Sequence, residues 1–360
     1  MINNNNIKIG LLTFHDTTNF VSLRQTYGLY RAIVNIGYDC EVIDYQCKNI
    51  IEREIPKSFG FTLDPKKLLL YLLCGRHRPI KYKALSQFLK NNMRLSEKCV
   101  RNNVAEVCKK YDKIIVGSDI VWGLDITGGD LTYFIDFEQD AHKKYAFSSS
   151  IGNPWNEDEK KLVDPLLRGF NRIAVREEES ADWVEELIKK RPQVVCDPTM
   201  MLKADMWRDV ASVKKRKSDY VLVYFDNKNG DCMANAIRYA KANNLKVHLI
   251  SDGFSRDGVK TVKPHSLGDF LTLIDNAAFV MTASYHGMLY SLYFNKQFAY
   301  FNRAHKSRMN TLSQKLHVAD RNGEKYDVMT MLPIDYSVVN KAIEDYRNES
   351  IECLKDFLKA

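Results

Sequence analysis

The sequence predicts an α/β protein with two Rossmann-like parallel-sheet domains facing a cleft, a basic helical insertion in the first domain, and C-terminal helices. Short apolar runs, typical of strands buried on both faces, alternate with helix-length segments. The alternation stops at a lysine-rich stretch, 211–219, and then restarts. A length of 360 residues suits two domains. The predicted divisions are a first domain (1–210, insertion 48–110), a linker (211–219), a second domain (220–334) and C-terminal helices (335–360).

The first domain opens with a β-α-β pattern, which predicts a parallel sheet. Helix Phe20–Ile36 follows the first strand, with Thr18 or Asn19 as its N-cap and Gly37 just past its end. The first turn lacks G-x-G-x-x-G, so we do not expect a nicotinamide or flavin enzyme. The predicted elements are strands Ile7–Thr13, Glu41–Tyr45, Lys113–Val116, Lys144–Phe147, Asn171–Val175 and Val194–Cys196, and helices Phe20–Ile36 and Glu178–Lys190.

The second domain repeats the same alternation after the linker. Two such sheets facing across a cleft form the architecture of GT-B glycosyltransferases, which makes that class the expected fold. The predicted elements are strands Tyr220–Phe225, Lys246–Ser251, Thr261–Val262, Phe279–Thr282 and Gln297–Phe301, and helices Cys232–Asn243, Ser266–Asn276, Met288–Phe294 and Tyr336–Leu358, the last as one or two helices.

Charge is concentrated in the insertion. Segment 48–110 carries 15 lysines and arginines against 5 acidic residues, although the whole chain has a net charge of +8. Within it, apolar Lys66–Cys74 leads into basic Gly75–Lys83, a pattern that fits an interfacial membrane element, a core helix with a solvated basic flank, or a lid. It lacks the interleaved aromatic residues of a nucleic-acid-binding module, so we expect no nucleic-acid partner.

The ends and cysteines of the chain predict a cytoplasmic protein. The start lacks a basic region followed by an apolar one, so no secretory signal is expected. No apolar run approaches the roughly 20 residues needed to span a bilayer. The eight cysteines are scattered without a C-x-x-C pair, which fits reduced thiols and argues against a zinc site. No carboxylate–histidine set has metal-ligand spacing, so we expect no required metal.

Polar residues follow the predicted strands, where ligands bind in open parallel sheets. The second domain places His286 between a strand and a helix, where an imidazole can exchange a proton beside an anion held at the helix N-terminus. The alternative is a histidine that only caps the helix or bonds a loop carbonyl. The strand-end residues are His15, Asn19, Ser118, Asp119, Ser149, Ser150, Arg176, Ser284, Tyr285, His286 and Gly287.

Several short motifs, in order along the chain, together resemble the polysaccharide pyruvyltransferase family. Each motif is weak alone, and their number and spacing make the signal specific. The segments similar to family motifs are Leu12–Leu29 ("N-Y-G-x-x-L-Q-x-Y-A-L"), Gly117–Trp122 ("G-S-D-Q-V-W"), Tyr145–Gly152 ("Y-x-A-S-x-G"), Val175–Glu178 ("V-R-E"), Asp197–Thr199 ("D-P-T"), Thr282–Gly287 ("T-x-S-F-H-G"), Arg308–Leu312 and Asp320–Arg321 ("R-I-x-x-L…D-R").

The resemblance implies transfer of pyruvate from phosphoenolpyruvate to a sugar of a surface polysaccharide as a cyclic ketal, with release of phosphate and no cofactor. His286 would be the acid, and Asp119 the base or an acceptor-hydroxyl ligand. Arg176, Ser284, Tyr285, Gly287 and Arg308 would bind the donor. His15, Asn19, Ser118, Ser149 and Ser150 would bind the acceptor.

Three positions depart from the family pattern. Val21 stands at a usual glycine, Ile120 at a usual glutamine, and Ser284 at a position that is often arginine in relatives. Two rival functions stay open, the first because the same two-domain cleft serves it and the second because of these departures. One is a GT-B glycosyltransferase that uses a nucleotide sugar, and the other is a non-catalytic sugar- or lipid-binding member of a polysaccharide assembly pathway. The acceptor can be nucleotide-linked or lipid-linked; the basic insertion favours a lipid-linked acceptor and peripheral contact with an anionic inner-membrane face.

Overall fold

A computed structural model describes residues 7–55, 77–215, 217–227, 229–251, 255, 258–302 and 306–359, with the side chains of 306–308 left out. The described residues form two units. Unit 1 contains 7–55, 82–202 and 346–359, and unit 2 contains 77–81 and 203–345. This division follows the contacts within each unit, and each unit joins segments that are distant in the sequence. The predicted domain boundaries stay a prediction.

Unit 1 is built on a six-stranded parallel sheet. Its strand order is β2-β1-β3-β4-β5-β6, so the chain crosses over β1 after the second strand and then adds strands outward in sequence order. Its strands are β1 (Lys8–Leu12), β2 (Asp39–Val42), β3 (Lys113–Gly117), β4 (Lys144–Ser149), β5 (Arg172–Val175) and β6 (Gln193–Val194).

The first helix of unit 1 has the predicted bounds, Phe20–Ile36. The Asn19 side chain accepts a hydrogen bond from the Val21 N–H, and Gly37 ends the helix in the left-handed region at φ 104°. The helices that begin in or near this unit are α1 (Phe20–Ile36), α2 (Lys48–Glu54), α3 (His77–Asn92), α4 (Val104–Cys108), α5 (Leu124–Thr127), α6 (Glu157–Arg168) and α7 (Glu178–Ile188).

Unit 2 is built on a five-stranded parallel sheet with the order β11-β10-β7-β8-β9. Its strands are β7 (Tyr220–Tyr224), β8 (Lys246–Ile250), β9 (Val259–Val262), β10 (Phe279–Thr282) and β11 (Phe298–Tyr300). Its helices are α8 (Ala204–Val210), α9 (Asp231–Ala242), α10 (Leu267–Asp275), α11 (Tyr285–Tyr293) and α12 (Lys306–Lys315), followed by α13 (Tyr336–Lys359).

Each unit has its own hydrophobic core. In unit 1 the strands of the sheet centre are buried along their whole length, and Trp122 packs in stacked geometry on Phe134. In unit 2, α9 covers one face of the sheet through Cys232, Ala236 and Ala240. Strands buried on both faces read as continuous apolar runs, which is why the sequence located them.

The C-terminal segment forms one long helix, α13. Its later part packs on unit 1, where the ring of Phe357 contacts Phe147 edge-on at 5.6 Å between centroids. The Arg347 Nε–H donates to the carbonyl of Met200 at 2.6 Å, and the Cys196 N–H donates to the Ser350 hydroxyl at 2.9 Å. The predicted class of two Rossmann-like parallel sheets, with helical segments in the insertion and at the C-terminus, is confirmed. That the two sheets face a cleft stays a prediction.

Part of the insertion lies outside the described residues. The predicted apolar-to-basic segment Lys66–Lys83 is described only from His77 onward, in α3. In α3, Arg78, Ile80 and Lys83 are exposed, with Ile80 half-exposed at 50%. No helix in the described part of the chain is both long and apolar enough to cross a membrane.

Candidate functional site

Two adjacent strands of unit 1 end in backbone conformations that are unusual for residues with side chains. Ser118 and Asp119, directly after β3, have φ values of 61° and 56°, and Ser148 in β4 has a φ of 55°. The β4–β5 register shifts between Ala146 and Ser149. Left-handed non-glycine residues cost on the order of 1 kcal/mol each and cluster at functional sites. These strand ends are therefore the candidate site of unit 1.

Asp119 is anchored at this site through both carboxylate oxygens. Its Oδ2 accepts a hydrogen bond from the Ser22 hydroxyl on α1, and its Oδ1 accepts from the Ile120 N–H at 2.9 Å. The side chain remains partly exposed. A carboxylate held in this way has lone pairs left for an acceptor hydroxyl, which is compatible with the predicted role.

The three predicted serines of unit 1 are fully buried. The Ser118 hydroxyl pairs with the Thr13 hydroxyl at 3.2 Å, and the Ser149 hydroxyl donates to the carbonyl of Val116 at 3.2 Å. The Ser150 hydroxyl donates to Glu177 Oε1 at 3.0 Å. Their contacts fix the strand ends from within, and their full burial keeps the hydroxyls from the surface. Their predicted acceptor role stays a prediction.

Arg176 lies between two buried carboxylates. Its Nε–H donates to Glu177 Oε1 at 2.7 Å, and its Nη1 donates to Asp197 Oδ2 at 3.2 Å. Asp197 also accepts from Gln25 Nε2 at 2.7 Å, and Glu177 accepts from the Ser180 hydroxyl at 3.1 Å. The network fixes the orientation of the Arg176 fork.

His15 is buried at the carboxyl end of β1 with an acceptor opposite each ring nitrogen. Nδ1 lies 3.2 Å from the carbonyl of Thr13, and Nε2 lies 3.0 Å from Asp44 Oδ1. Burial alone would raise the pKa of Asp44, but the hydrogen bond and charge of His15, the charge of Lys98 and the hydrogen bond from Gln46 together outweigh it, so this pKa is lowered. A bond from His15 to a sugar would require one of these contacts to break. Asn19 similarly uses its side chain to cap α1.

The candidate site of unit 2 follows β10. The sequence predicts a helix beginning at Met288, and this start is wrong: α11 begins at Tyr285, with Ser284 as its N-cap. The Ser284 Oγ accepts a long hydrogen bond from the Gly287 N–H at 3.4 Å, and the Ser284 N–H donates to Thr282 Oγ1 at 3.0 Å. A capping serine satisfies donors that the first helical turn leaves unpaired. His286 therefore sits in the first turn rather than in a preceding loop.

His286 is buried to all but 8% of its surface, beside the ring of Tyr285 at 5.2 Å between centroids. The helix-start position places the imidazole at the positive end of the α11 dipole, where anions are favoured. Close packing holds this turn, because a Cβ added to Gly287 would lie 2.2 Å from Thr282 Oγ1. The side chain of Arg308, predicted to bind the donor, lies outside the described residues, although its backbone is in α12.

The structure thus groups the predicted residues by unit. Asp119, the serines and Arg176 lie at strand ends of the unit 1 sheet, and Ser284–Gly287 lie at a strand end of the unit 2 sheet. That Arg176 and His286 meet over one donor stays a prediction, as does the absence of a metal requirement.

Sequence reasoning did not assign roles to four residues that organise these corners. Glu177 and Asp197 accept from Arg176, Gln25 donates to Asp197, and Asp44 pairs with His15. Glu177 and Asp197 stood within the family-like motifs, so the motifs themselves were the available signal. Gln25 likewise lies within the family-like segment Leu12–Leu29. Asp44 lies outside these motifs, and its role becomes visible only in the folded structure, because its partner His15 is 29 residues away.

Comparison with known proteins gives a family and a fold. The family model of polysaccharide pyruvyl transferase matches residues 23–305. No curated protein sequence matches the chain. An alpha-glucosyltransferase solved with UDP and a 13-mer DNA is 7% identical, with 98% of this chain and 95% of that chain covered and a TM-score of 0.50. UDP-GlcNAc 2-epimerase from Methanocaldococcus jannaschii is 11% identical, with 95% and 92% covered and a TM-score of 0.47. The glucosyltransferase likeness concerns the fold alone.

Proposed function

Because the chain belongs to the polysaccharide pyruvyl transferase family, we propose that it transfers pyruvate from phosphoenolpyruvate to a sugar of a surface-polysaccharide precursor, forming a cyclic ketal and releasing phosphate. The observation that carries the proposal is the family match over residues 23–305, which includes Asp119, Arg176 and His286. Membership makes the protein a transferase. The donor, the ketal product and the residue roles are the proposal.

Donor binding is assigned to groups that suit two neighbouring anions. Phosphoenolpyruvate carries a carboxylate and a phosphate, and a guanidinium fork can bind either in two-point fashion. Glu177 and Asp197 hold the fork of Arg176 in one orientation, which lowers the entropy lost on binding. The Ser284 hydroxyl and the N–H group of Tyr285, at the start of α11, supply further donors in the proposal. The Gly287 N–H joins them where its long bond to Ser284 Oγ opens.

The proposed chemistry moves two hydroxyl protons. His286 delivers a proton to the methylene carbon of the donor, which becomes a methyl group and leaves C2 electrophilic. The first sugar hydroxyl adds to C2 and loses its proton to Asp119. Phosphate then leaves with the electrons of the C–O bond, and the second hydroxyl adds to C2. Of the two protons lost by the sugar hydroxyls, one restores the proton that His286 gave to the methylene carbon, and the other leaves with the phosphate.

The acceptor is proposed to bind at the strand ends of unit 1, through Asp119 and, where their present bonds can open, His15, Asn19, Ser118, Ser149 and Ser150. A lipid-linked acceptor at an anionic membrane face is proposed from the basic insertion. In its described part, exposed Ile80 stands between exposed Arg78 and Lys83 on α3, a combination found on membrane-contacting helices.

The reaction itself tests the function. Purified protein is incubated with phosphoenolpyruvate and a panel of sugar acceptors, while phosphate release and the mass of each acceptor are measured. We expect phosphate release coupled to an acceptor that gains one pyruvyl ketal. In His286→Ala the rate should fall by about 100-fold or more, the usual contribution of a general acid. The exposed-histidine variant His142→Ala is the matched control. Full activity of His286→Ala would remove this residue from the reaction.

A further inference from the structure

A cavity of about 410 Å³ lies in unit 2, and no residue of the Ser284–Gly287 corner lines it. Its volume is in the range of small-molecule binding pockets and exceeds that of a single inorganic ion. Three lysines line it, Lys217, Lys260 and Lys263, together with His248 and Tyr220. The cavity therefore combines cations with an aromatic wall.

Sheet register places basic side chains side by side at this cavity. His248 on β8 is the direct partner of Lys260 on β9, so the two side chains leave the same face of the sheet. Lys246, two residues before His248, leaves that face as well. Adjacent basic side chains repel one another unless an anion lies between them.

The nearby carboxylates have other partners. Asp219 forms an ion pair with Lys246 at 2.7 Å, and Asp269 Oδ2 accepts from the N–H groups of His265 and Ser266 in the capping box of α10. Among the residues that the structure describes, neither Lys217 nor Lys260 forms an ion pair with a carboxylate. The cavity thus keeps an excess of positive charge.

The His248 ring is fixed in place beside these lysines. It stacks on Tyr220 at 4.3 Å between centroids with an interplanar angle of 18°, and the Tyr220 hydroxyl is tied to the carbonyl of Leu273 at 2.7 Å. His248 Nδ1 is buried without a hydrogen-bond partner in the described structure. Burial, and next Lys260, lower the pKa of His248.

We propose that this cavity binds a phosphate-bearing small molecule, with Lys217 and Lys260 as cationic ligands and His248 as an added hydrogen-bond donor. Lysine ammonium groups bind phosphate as point charges. Val262 and Leu273 provide apolar surface for the organic part of the ligand. The site is separate in its residues from the proposed donor site, so it does not depend on the proposed function.

Nuclear magnetic resonance titration of His248 tests the site, with inorganic phosphate as the probe and chloride at equal ionic strength as the reference. The charged groups around the ring are Lys217, Asp219, Lys246, Lys260, Lys263 and Asp269. A bound anion favours the imidazolium, so phosphate should raise the pKa of His248. The His248→Gln variant identifies the signal.

Lys260→Gln should weaken the phosphate effect about tenfold, as expected for loss of one charge-assisted hydrogen bond. Lys241→Gln is the matched control, because Lys241 is exposed on α9, which packs on the opposite face of the sheet. The effect should persist in His286→Ala, which separates it from phosphate binding near α11. A His248 titration that is identical in phosphate and chloride, or a phosphate effect unchanged in Lys260→Gln, would overturn the proposal.

Discussion

Gly287 shows how a single missing side chain shapes the unit 2 corner. In a helix, alanine is normally favoured over glycine by about 1 kcal/mol. A Cβ at this position would instead lie 2.2 Å from Thr282 Oγ1 and 3.0 Å from the ring of Tyr224. The Thr282 hydroxyl cannot move freely, since it donates to the carbonyl of Tyr224 at 2.6 Å and accepts from the Ser284 N–H.

We therefore expect Gly287→Ala to lower the free energy of unfolding by about 1–3 kcal/mol, the usual cost of overpacking. Urea denaturation measures it. In a Thr282→Ala background the same substitution should cost less, because the closest atom is gone. A gain in stability from Gly287→Ala in the wild-type background would show that the corner has room.

Contacts between individual residues were the hardest feature to predict from the sequence. The motifs located Arg176 and His15 at strand ends, yet the carboxylates that hold them, Asp197 and Asp44, are 21 and 29 residues away along the chain. Such pairs depend on which strands become neighbours in the sheet. Periodicity identifies strands but not the order in which they pair.

At the scale of elements, the cap of α1 gives a prediction that separates two roles of Asn19. Its side chain accepts from the Val21 N–H at 2.9 Å, and loss of such a cap typically costs about 1 kcal/mol. Asn19→Ala should therefore be less stable in urea by about that amount, whereas Asn19→Asp, which keeps a capping oxygen, should not. If Asn19→Asp keeps full transfer activity, the Asn19 amide is not an acceptor ligand.

The amino ends of β1 and β2 carry a pH-sensitive contact. Glu41 accepts from Lys8 Nζ at 3.1 Å, Lys110 Nζ at 2.8 Å, Arg94 Nη2 at 3.1 Å and the Tyr111 hydroxyl at 2.8 Å. Burial would raise the pKa of Glu41, but the hydrogen bonds from Lys110, Tyr111 and Lys8 together outweigh it and lower the pKa from 4.5 to about 2. A lowered folded-state pKa contributes stability above pH 4.5 that is lost as the pH falls toward 2.

Glu41→Gln should thus be less stable than the wild-type protein at pH 7, and the difference should shrink as the pH falls from 4.5 toward 2. Urea unfolding at a series of pH values measures it. Glu97→Gln, at an exposed position, is the control and should change stability little at any pH. A constant difference between Glu41→Gln and wild type across this range would contradict the assignment.

Element types followed from the sequence more closely than element ends. The bounds of Phe20–Ile36 and Phe279–Thr282 are confirmed, since a cap residue or an apolar run marks each. The start of α11 was placed three residues late, at Met288. The polar run Ser284–Gly287 resembles a loop, but the Ser284 cap and the close packing of Gly287 against Thr282 accompany a helical turn there.

At the scale of the whole molecule, two parallel sheets follow from the repeated alternation of apolar runs and helices, and the family match supplies the transferase. A long-range assignment such as the meeting of Arg176 and His286 needs more, because the two residues lie in different units. The order of residues along the chain does not say whether Arg176 and His286 contact the same ligand. Ligand-linked stability can test whether they serve the same small molecule.

A ligand that binds only the folded protein raises its stability by RT ln(1 + [L]/Kd), about 2.7 kcal/mol at a hundredfold excess over Kd. We expect phosphoenolpyruvate to raise the Tm of the wild-type protein, and to raise it much less in Arg176→Ala and in His286→Ala, if each unit contributes to one donor site. Arg172→Ala, at an exposed position on β5, is the matched arginine control.

A Tm raised by a nucleotide sugar and not by phosphoenolpyruvate would favour the glycosyltransferase alternative, and a response to neither would favour a non-catalytic role. Loss of the response in only one of the two variants would place the donor within a single unit.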